Sequence, residues 1–213
     1  MSSVAVIDYG MGNLHSIEKG LQHAAPEVDV QIVSDVTAIQ QADRIVFPGV
    51  GAIRDCMLAL DSAGLSAVIK DVAKTKPFLG ICLGMQALLT ESEENDNTAC
   101  LDIFKGQVEH FSKDMRDDKG ERLKIPHMGW NQVRQKQHSL WEGIPQNSRF
   151  YFVHSYYVKP NNEKDSIATT DYPKEFTSAL AKDNIFAVQF HPEKSQTVGL
   201  QLLKNFLSWD GQS

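Results

Sequence analysis

The segment Gly80-Ile81-Cys82-Leu83-Gly84 follows a short apolar run at Phe78–Ile81 and precedes a helical pattern that opens at Met85–Leu89. A strand that turns sharply into a helix between two small residues is typical of a nucleophile elbow, here with cysteine at the nucleophile position. The turn holds the side chain up, and the N-terminus of the helix favours the reactive thiolate. Taken alone, these five residues fit a buried cysteine at an ordinary strand–helix junction equally well.

Strands and helices alternate around this segment in the first half of the chain. The strand candidates are Val4–Asp8, Val28–Val33, Arg44–Phe47 and Phe78–Ile81, and helical patterns occur at Leu14, Ile17 and Leu21, at Ala52–Leu60 and at Leu65–Ala73. Strands separated by helices predict a mainly parallel central sheet with helices on both faces, which is a three-layer α/β fold.

The second half of the chain has strand-like runs with only short connections between them. These runs are Gln107–Phe111, Arg149–Val158, Ser166–Thr170, Phe176–Leu180 and Ile185–Phe190. They predict an antiparallel or mixed extension of the sheet, followed by a last helix for which Ser195 is a plausible N-cap. Because no linker or repeat interrupts the chain, we expect one domain over residues 1–213.

Composition excludes several classes of function. A formal net charge of −6 argues against a protein that binds the phosphate backbone of nucleic acids. The three cysteines have neither zinc-ligand spacing nor the pattern of a disulfide framework; they are Cys56, Cys82 and Cys100. The N-terminus has no basic region before an apolar run, and no apolar stretch is long enough to cross a bilayer. We therefore expect a cytoplasmic protein.

A candidate base follows the last predicted strand, in the segment His191-Pro192-Glu193. The imidazole can take a thiol proton, and a carboxylate two residues further on can fix its tautomer and direction. The alternative is a surface histidine near a helix start, with Glu193 favouring the helix dipole, and the segment alone favours that alternative. None of the other histidines has a carboxylate so placed at a strand end, and no set of histidines has metal-ligand spacing.

The order of the candidate residues along the chain is cysteine, histidine, glutamate. In α/β-hydrolases the acid precedes the histidine, so we do not expect that fold. A possible oxyanion site occurs at Pro48-Gly49-Val50-Gly51, directly after a predicted strand, because its glycines permit unusual backbone angles and its N–H groups can face an oxyanion. A glycine-rich turn without a ligand is the alternative.

Together, Pro48–Gly51, Gly80–Gln86 and His191–Glu193 resemble the class I, or triad-type, glutamine amidotransferases, and the resemblance spans nearly the whole chain. It implies that Cys82 attacks the carboxamide carbon of glutamine, that His191 is the acid and base, and that Glu193 orients His191. It implies neither a cofactor nor a metal.

The same resemblance implies further contacts at this site. The Gly49–Val50 peptide and the Leu83 N–H are expected to form the oxyanion hole, the former after a possible flip. The glutamine head group is expected to be held by Gln86 and Glu94, with further contacts from Gly51, Tyr151 and Ser155.

Three more segments resemble one branch of this family, the glutaminase subunits of imidazole glycerol phosphate synthase in histidine biosynthesis. They are Asp8-Tyr9-Gly10-Met11-Gly12-Asn13-Leu14, Pro126-His127-Met128-Gly129-Trp130-Asn131 and Tyr151-Phe152-Val153-His154-Ser155-Tyr156. The resemblance implies a heterodimer with a cyclase subunit, a (β/α)8 barrel that receives ammonia through a channel and makes imidazole glycerol phosphate and an aminoimidazole carboxamide ribotide.

Asn13, Trp130 and Lys194 fall in segments expected to face that barrel. Other interpretations remain open for two of them, since Trp130 could be a core aromatic and Lys194 a solvated lysine near a helix start.

Two alternative functions remain. The first is the glutaminase subunit of another amidotransferase, such as anthranilate synthase. Such subunits usually carry histidine where Met85 stands and lack a Pro-x-Met-Gly-Trp-Asn segment. The second is a non-catalytic regulatory module of the same fold. The presence of Cys82, His191 and Glu193 argues against it.

Overall fold

A computed structural model describes residues 2–112, 114–116 and 119–212. Its helices are α1 (Leu14–Ala24), α2 (Val36–Gln41), α3 (Ile53–Ser62), α4 (Leu65–Val72), α5 (Leu83–Gln86), α6 (Glu94–Asn97) and α7 (Gln196–Ser208). Its strands are β1 (Ser3–Ile7), β2 (Asp29–Val33), β3 (Arg44–Gly49), β4 (Phe78–Cys82), β5 (Glu91–Ser92), β6 (Thr98–Ala99), β7 (Gly106–His110), β8 (His127–Gln132), β9 (Arg134–Gln135), β10 (Arg149–His154), β11 (Tyr156–Pro160), β12 (Ser166–Asp171), β13 (Glu175–Lys182) and β14 (Ile185–Val188).

A parallel sheet in the order β2-β1-β3-β4-β14 forms the centre of the fold. Successive side chains of β1 point to opposite faces: Val4 and Val6 pack in the core with α1 and α7, whereas Ala5 and Ile7 pack in the core with α3 and α4. Both faces of the sheet are therefore covered by helices, and the expected three-layer α/β fold is confirmed.

The sheet continues as an antiparallel extension. β13 pairs antiparallel with β14 and with β11, and β11 pairs antiparallel with β7. β12 pairs antiparallel with the other side of β13. This confirms the expected mixed extension. The run Arg149–Val158, which we expected to be one strand, bends at Ser155 into two strands: β10 pairs with β8 in a separate two-stranded sheet, and β11 joins the main sheet. A bend of this kind lets one strand leave a sheet and enter another.

The helix after the elbow is shorter than the helical pattern at Met85–Leu89 indicates. α5 ends at Gln86. The carbonyl of Ala87 accepts the N–H of Leu101, and the carbonyl of Leu88 accepts the N–H groups of Ile103 and Phe104. Since these carbonyls pair with a distant segment, they are not available to continue the helix, and the chain turns instead.

No helix within the described ranges combines the length and the apolar character that crossing a bilayer requires.

Candidate active site

Cys82 lies at the carboxyl end of β4, in the middle of the parallel sheet, where the chain turns into α5. Its backbone has φ of 54° and ψ of −111°, a combination that costs a non-glycine residue about 1–3 kcal/mol and persists only when its surroundings hold it. A Cβ at Gly84 would overlap the carbonyl oxygen of Phe47, and one at Gly80 would lie 3.0 Å from the Cβ of Ala187. The two small residues therefore allow the close approach that the elbow needs.

His191 lies beyond the neighbouring strand β14, and its Nδ1 is 2.8 Å from Oε1 of Glu193. Only 3% of the His191 side chain and 1% of the Glu193 side chain are exposed. A carboxylate accepts, so Nδ1 carries the hydrogen of this bond, and Nε2 is the ring nitrogen that does not face Glu193. Nε2 is buried and makes no well-aligned hydrogen bond with a described residue.

The pKa of His191 is raised to about 10. Burial alone would lower this pKa, but the interaction with the Cys82 sulfur, and then the interaction with Glu193, raises it. Both partners favour the imidazolium whenever they carry negative charge. The raised pKa of His191 thus favours the imidazolium, the form of histidine that a cysteine hydrolase pairs with its thiolate.

Neighbouring hydrogen bonds fix the backbone of His191. Its N–H donates to the carbonyl of Tyr151 at 2.9 Å, and its carbonyl accepts from the Ser195 hydroxyl at 2.6 Å. That hydroxyl also accepts the N–H of Tyr151 at 3.0 Å. Ser195 does stand at the N-cap position of α7, as expected, but its side chain makes no capping bond to that helix. It ties His191 to β10 instead.

A cavity of about 310 Å³ opens beside the elbow. It is lined by Val50, Gly51, Cys82, Leu83, Gln86, Glu94, Pro126, Val153, His154, Ser155, Tyr156, His191 and Lys194. Its volume is at the lower end of the range for small-molecule sites. Cys82 and His191 lie at and just beyond the carboxyl ends of parallel strands, which is where ligands bind in open α/β sheets.

Five of the predicted site residues do not line this cavity. Glu193 lies behind His191, and Gly49 is buried behind the elbow. Tyr151 and Trp130 pair across β10 and β8, and Asn13 is exposed just before α1. Trp130 is 37% exposed, so the interpretation of it as a core aromatic is wrong. Lys194 is exposed and lies 5.9 Å above the ring of Tyr151, at the rim of the cavity.

The turn Pro48–Gly51 is held at both ends. The hydroxyl of Tyr9 donates to the carbonyl of Pro48 at 2.8 Å, and Oε2 of Glu94 accepts the N–H of Ile53 at 3.0 Å. Between these anchors Gly51 has φ of +102°, a value that favours glycine. The two anchors leave the peptide units between Gly49 and Gly51 as the part of the turn with the most conformational freedom.

Two residues in the site were not singled out from the sequence. Tyr9 was quoted only as part of a motif, and nothing local indicates that its hydroxyl reaches Pro48. Gln189, which lies two residues before His191, donates to the Cys82 sulfur at 3.7 Å. A signal for Gln189 does exist, because it is the one polar residue in the apolar run Ile185–Phe190 and is fully buried.

His154 is not placed to serve as a base. Its Nδ1 is 2.7 Å from the carbonyl oxygen of Tyr156, so Nδ1 donates, and its Nε2 accepts from Nδ1 of His127 at 2.9 Å. Burial lowers the pKa of His154 to about 3 and that of His127 to about 4. Both rings are therefore neutral near pH 7, and neither nitrogen of His154 is left to take a thiol proton.

Sequence comparison with known proteins points to one family. A family model described as glutamine amidotransferase class-I matches residues 5–209. A Methylococcus capsulatus protein named imidazole glycerol phosphate synthase subunit HisH is 58% identical over 212 residues, covering 99% of this chain and 98% of its own. A Pseudomonas aeruginosa protein named imidazole glycerol phosphate synthase subunit HisH 1 is 55% identical over 213 residues, covering 100% of this chain and 99% of its own.

Solved structures support the fold. A crystal structure described as glutamine amidotransferase has a TM-score of 0.72 at 15% identity and covers 96% of this chain and 97% of its own. PurLQS from Thermotoga maritima has a TM-score of 0.69 at 14% identity and covers 97% of this chain and 98% of the other. At these identities the likeness concerns the fold alone.

Proposed function

The chain belongs to the class-I glutamine amidotransferases, and on that premise we propose that it hydrolyses glutamine through Cys82, His191 and Glu193 and passes the ammonia to a cyclase subunit in histidine biosynthesis. The observation that carries the chemistry is the buried pair of His191 and Glu193 beside Cys82, in a cavity at the carboxyl ends of β4 and β14.

The first half of the reaction forms a thioester. The Cys82 thiolate attacks the carboxamide carbon of glutamine, and the carbonyl oxygen becomes an oxyanion. The imidazolium of His191 gives its Nε2 proton to the leaving nitrogen, the C–N bond breaks, and ammonia departs. The hydrogen bond from Nδ1 to Glu193 stabilises the imidazolium until that proton is transferred.

The second half returns the enzyme to its starting state. Neutral His191 takes a proton from water, and the resulting hydroxide adds to the thioester carbon. Collapse of this second tetrahedral intermediate breaks the C–S bond and restores the Cys82 thiolate with the protonated histidine; the product leaves as its γ-carboxylic acid, which gives its proton to solvent and becomes glutamate. The oxyanion in both halves is stabilised by the Leu83 N–H and by an N–H of the Gly49–Val50 peptide.

The substrate's head group meets Gln86, Glu94, Gly51 and Ser155 on the cavity wall. Glu94 is the anionic member of this wall, which suits the α-ammonium of glutamine. The amide nitrogen of Gln86 is already engaged by Tyr156 and Gln189, so Oε1 is the atom of Gln86 that suits the substrate. Tyr151 acts indirectly, because its backbone holds His191 and its ring lies below Lys194.

The partner is inferred from the relatives. Several proteins that are 53–58% identical over nearly full length carry the name of an imidazole glycerol phosphate synthase subunit, which favours a cyclase partner over the alternative of anthranilate synthase. On the chain itself, Met128 is 61% exposed and lies near Trp130 on β8, at the surface where a docking barrel would cover both. We expect the partner to be a (β/α)8 barrel and the complex to be a cytoplasmic heterodimer.

Labelling with a glutamine analogue that carries an electrophilic diazoketone tests this proposal. The analogue should attach to Cys82 in a mass-spectrometric peptide map, faster when a co-purified cyclase subunit and its nucleotide ligand are present, and excess glutamine should protect. Cys100, which is only partly buried, serves as the internal control and should remain unlabelled. Labelling spread over other residues, or no protection by glutamine, would contradict the assignment.

A further inference from the structure

The sulfur of Cys82 accepts a hydrogen bond from a side chain other than His191. Nε2 of Gln189 lies 3.7 Å from Sγ, a normal length when sulfur is the acceptor. Gln189 is fully buried, and its backbone N–H donates to the carbonyl of Ser178 on β13 at 2.9 Å. The end of β14 therefore presents two groups to the nucleophile, His191 as the base and Gln189 as an amide.

The direction of the Gln189 amide follows from its neighbours. Nε2 of Gln86 is 3.1 Å from the backbone oxygen of Tyr156 and 3.0 Å from Oε1 of Gln189. A backbone carbonyl cannot donate, so Gln86 must turn its NH2 group toward Tyr156. The second hydrogen of that group then goes to Oε1 of Gln189, and the NH2 group of Gln189 is left facing Sγ.

The backbone oxygen of Tyr156, at which this series of hydrogen bonds begins, is itself fixed. Nδ1 of His154 donates to the Tyr156 oxygen at 2.7 Å, so both lone pairs of that oxygen are used. Reversing either amide would bring two oxygens or two NH2 groups together in a buried site, which leaves polar groups unsatisfied. The two glutamines therefore form an amide relay, Gln86 and Gln189, with a defined sense that ends in a donor at the nucleophile.

We infer that Gln189 is a further catalytic residue, whose NH2 group stabilises the thiolate of Cys82 relative to the thiol and aims it at the cavity, with Gln86 as the positioning residue that sets its direction. This rests on the proposed role of Cys82 as the nucleophile. His191 and Gln189 divide the work: the histidine moves protons, whereas the amide holds charge and carries no proton to the substrate. A hydrogen bond to a charged group stabilises that group more than its neutral form.

Alkylation of Cys82 by iodoacetamide, followed across pH by peptide mass spectrometry on the full chain, tests this role without glutamine or a partner. Gln189→Leu should move the midpoint of Cys82 alkylation to higher pH by about one unit, the size expected for one charge-assisted hydrogen bond. Ser178→Ala is the matched control, because Ser178 is equally buried and adjacent through the backbone but its hydroxyl makes no bond to a described residue. The midpoint of Cys82 alkylation in Ser178→Ala should stay at the wild-type pH.

Gln189→Glu gives a second test that keeps the size and shape of the side chain. A carboxylate in place of the carboxamide exchanges the NH2 donor for an acceptor oxygen, so it should move the midpoint to higher pH by more than the leucine variant does. A midpoint that stays at the wild-type pH, or falls, in whichever variant folds would overturn the inference. If the midpoint does not rise but the diazoketone analogue still labels Cys82 in the same variant, only the inference about Gln189 fails. If the analogue labels another residue in the wild-type chain, the proposed function fails.

Discussion

The hydroxyl of Tyr9 donates to the carbonyl oxygen of Pro48 across 2.8 Å, and this bond links the segment that follows β1 to the carboxyl end of β3. Burial, and then Cys56, raises the pKa of Tyr9 far above its usual range, so the hydroxyl remains a donor at any physiological pH. A Cβ at Gly49 would lie 2.6 Å from the same hydroxyl. The first peptide of the turn Pro48–Gly51, called the oxyanion turn below, is thus held in place from outside the turn.

Removing that hydroxyl should weaken catalysis more than folding. Tyr9→Phe should lower the glutaminase rate constant about fivefold, because loss of a hydrogen bond of about 1 kcal/mol lets the Pro48 peptide drift. Tyr172→Phe is the control, since Tyr172 donates to the carbonyl of Lys124 outside the cavity. Equal rates for wild type and Tyr9→Phe in a steady-state assay would show that the turn needs no such anchor.

Variants of the base and its orienter should differ in severity. His191→Ala should reduce turnover about as much as loss of the nucleophile, because the members of a triad act as a unit. Glu193→Gln should cost less, since an orienter is only partly needed once the histidine is fixed by Tyr151 and Ser195. The measurement is the glutaminase rate of each variant in the complex. Negligible losses in both variants would mean that the base lies elsewhere.

Acid should destabilise the chain through the buried histidine pair. The folded-state pKa values of His127 and His154, about 4 and about 3, lie below the unfolded value of 6.5. The stability contributed by the two neutral rings is therefore complete above pH 6.5 and is lost as the pH falls toward 4 and 3. Below pH 6.5 the protonation of each ring lowers the free energy of unfolding by up to about 1.4 kcal/mol per pH unit.

Urea unfolding at pH 7 and pH 5 measures this dependence. His127→Gln should reduce the difference between the two unfolding free energies, because one buried neutral ring is removed. Substitution of the exposed His23 by glutamine should leave the difference as it is in the wild type. A difference that is as large in His127→Gln as in the wild type would show that this ring makes no contribution.

Coupling to the partner should depend on the glycines of the oxyanion turn. The isolated chain should be nearly idle, since one misdirected oxyanion donor costs about 10²–10³ in rate, and the ligand-loaded partner should activate it. Gly51→Ala should reduce this stimulation more than it weakens subunit binding, because φ of +102° and the nearby Met11 oppose a side chain.

The control for that variant is Gly64→Ala, which also has positive φ but has no atom within 4 Å of its Cβ position and lies away from the cavity. Glutaminase assays with and without the loaded partner, together with a binding titration, separate the two effects. An isolated wild-type chain that already runs at the stimulated rate would rule out gating by the turn.

Local sequence patterns were sufficient to predict the mainly parallel sheet, whereas the candidate triad also needed the resemblance to the class I glutamine amidotransferases. The alternation of apolar runs with helical spacing gave the parallel half, and glycines around Cys82 indicated the elbow. The bend at Ser155 was missed because strand propensity is continuous through that run, and only pairing with β8 separates its two halves. β8 itself was missed because half of its residues are exposed and its one buried residue, His127, is polar, so the segment has no apolar run.

The contacts that complete the site were missed for a different reason. Tyr9 meets Pro48 across 39 positions of sequence, and Gln189 meets Cys82 across 107. Neither contact has a local periodicity, because each depends on which strands lie side by side in the sheet. A buried polar residue in an apolar strand, such as Gln189, shows that a partner must exist but not which one.

The most direct measurement uses the complex with the cyclase subunit and two nitrogen sources. Cys82→Ala should lose glutamine-dependent product formation by about 10³-fold or more, while product formation from added ammonium salt remains at the wild-type rate, because the partner needs ammonia and is indifferent to its source. Cys100→Ala should behave as wild type with both sources. Normal glutamine-dependent activity in Cys82→Ala would contradict the assignment of Cys82 as the nucleophile.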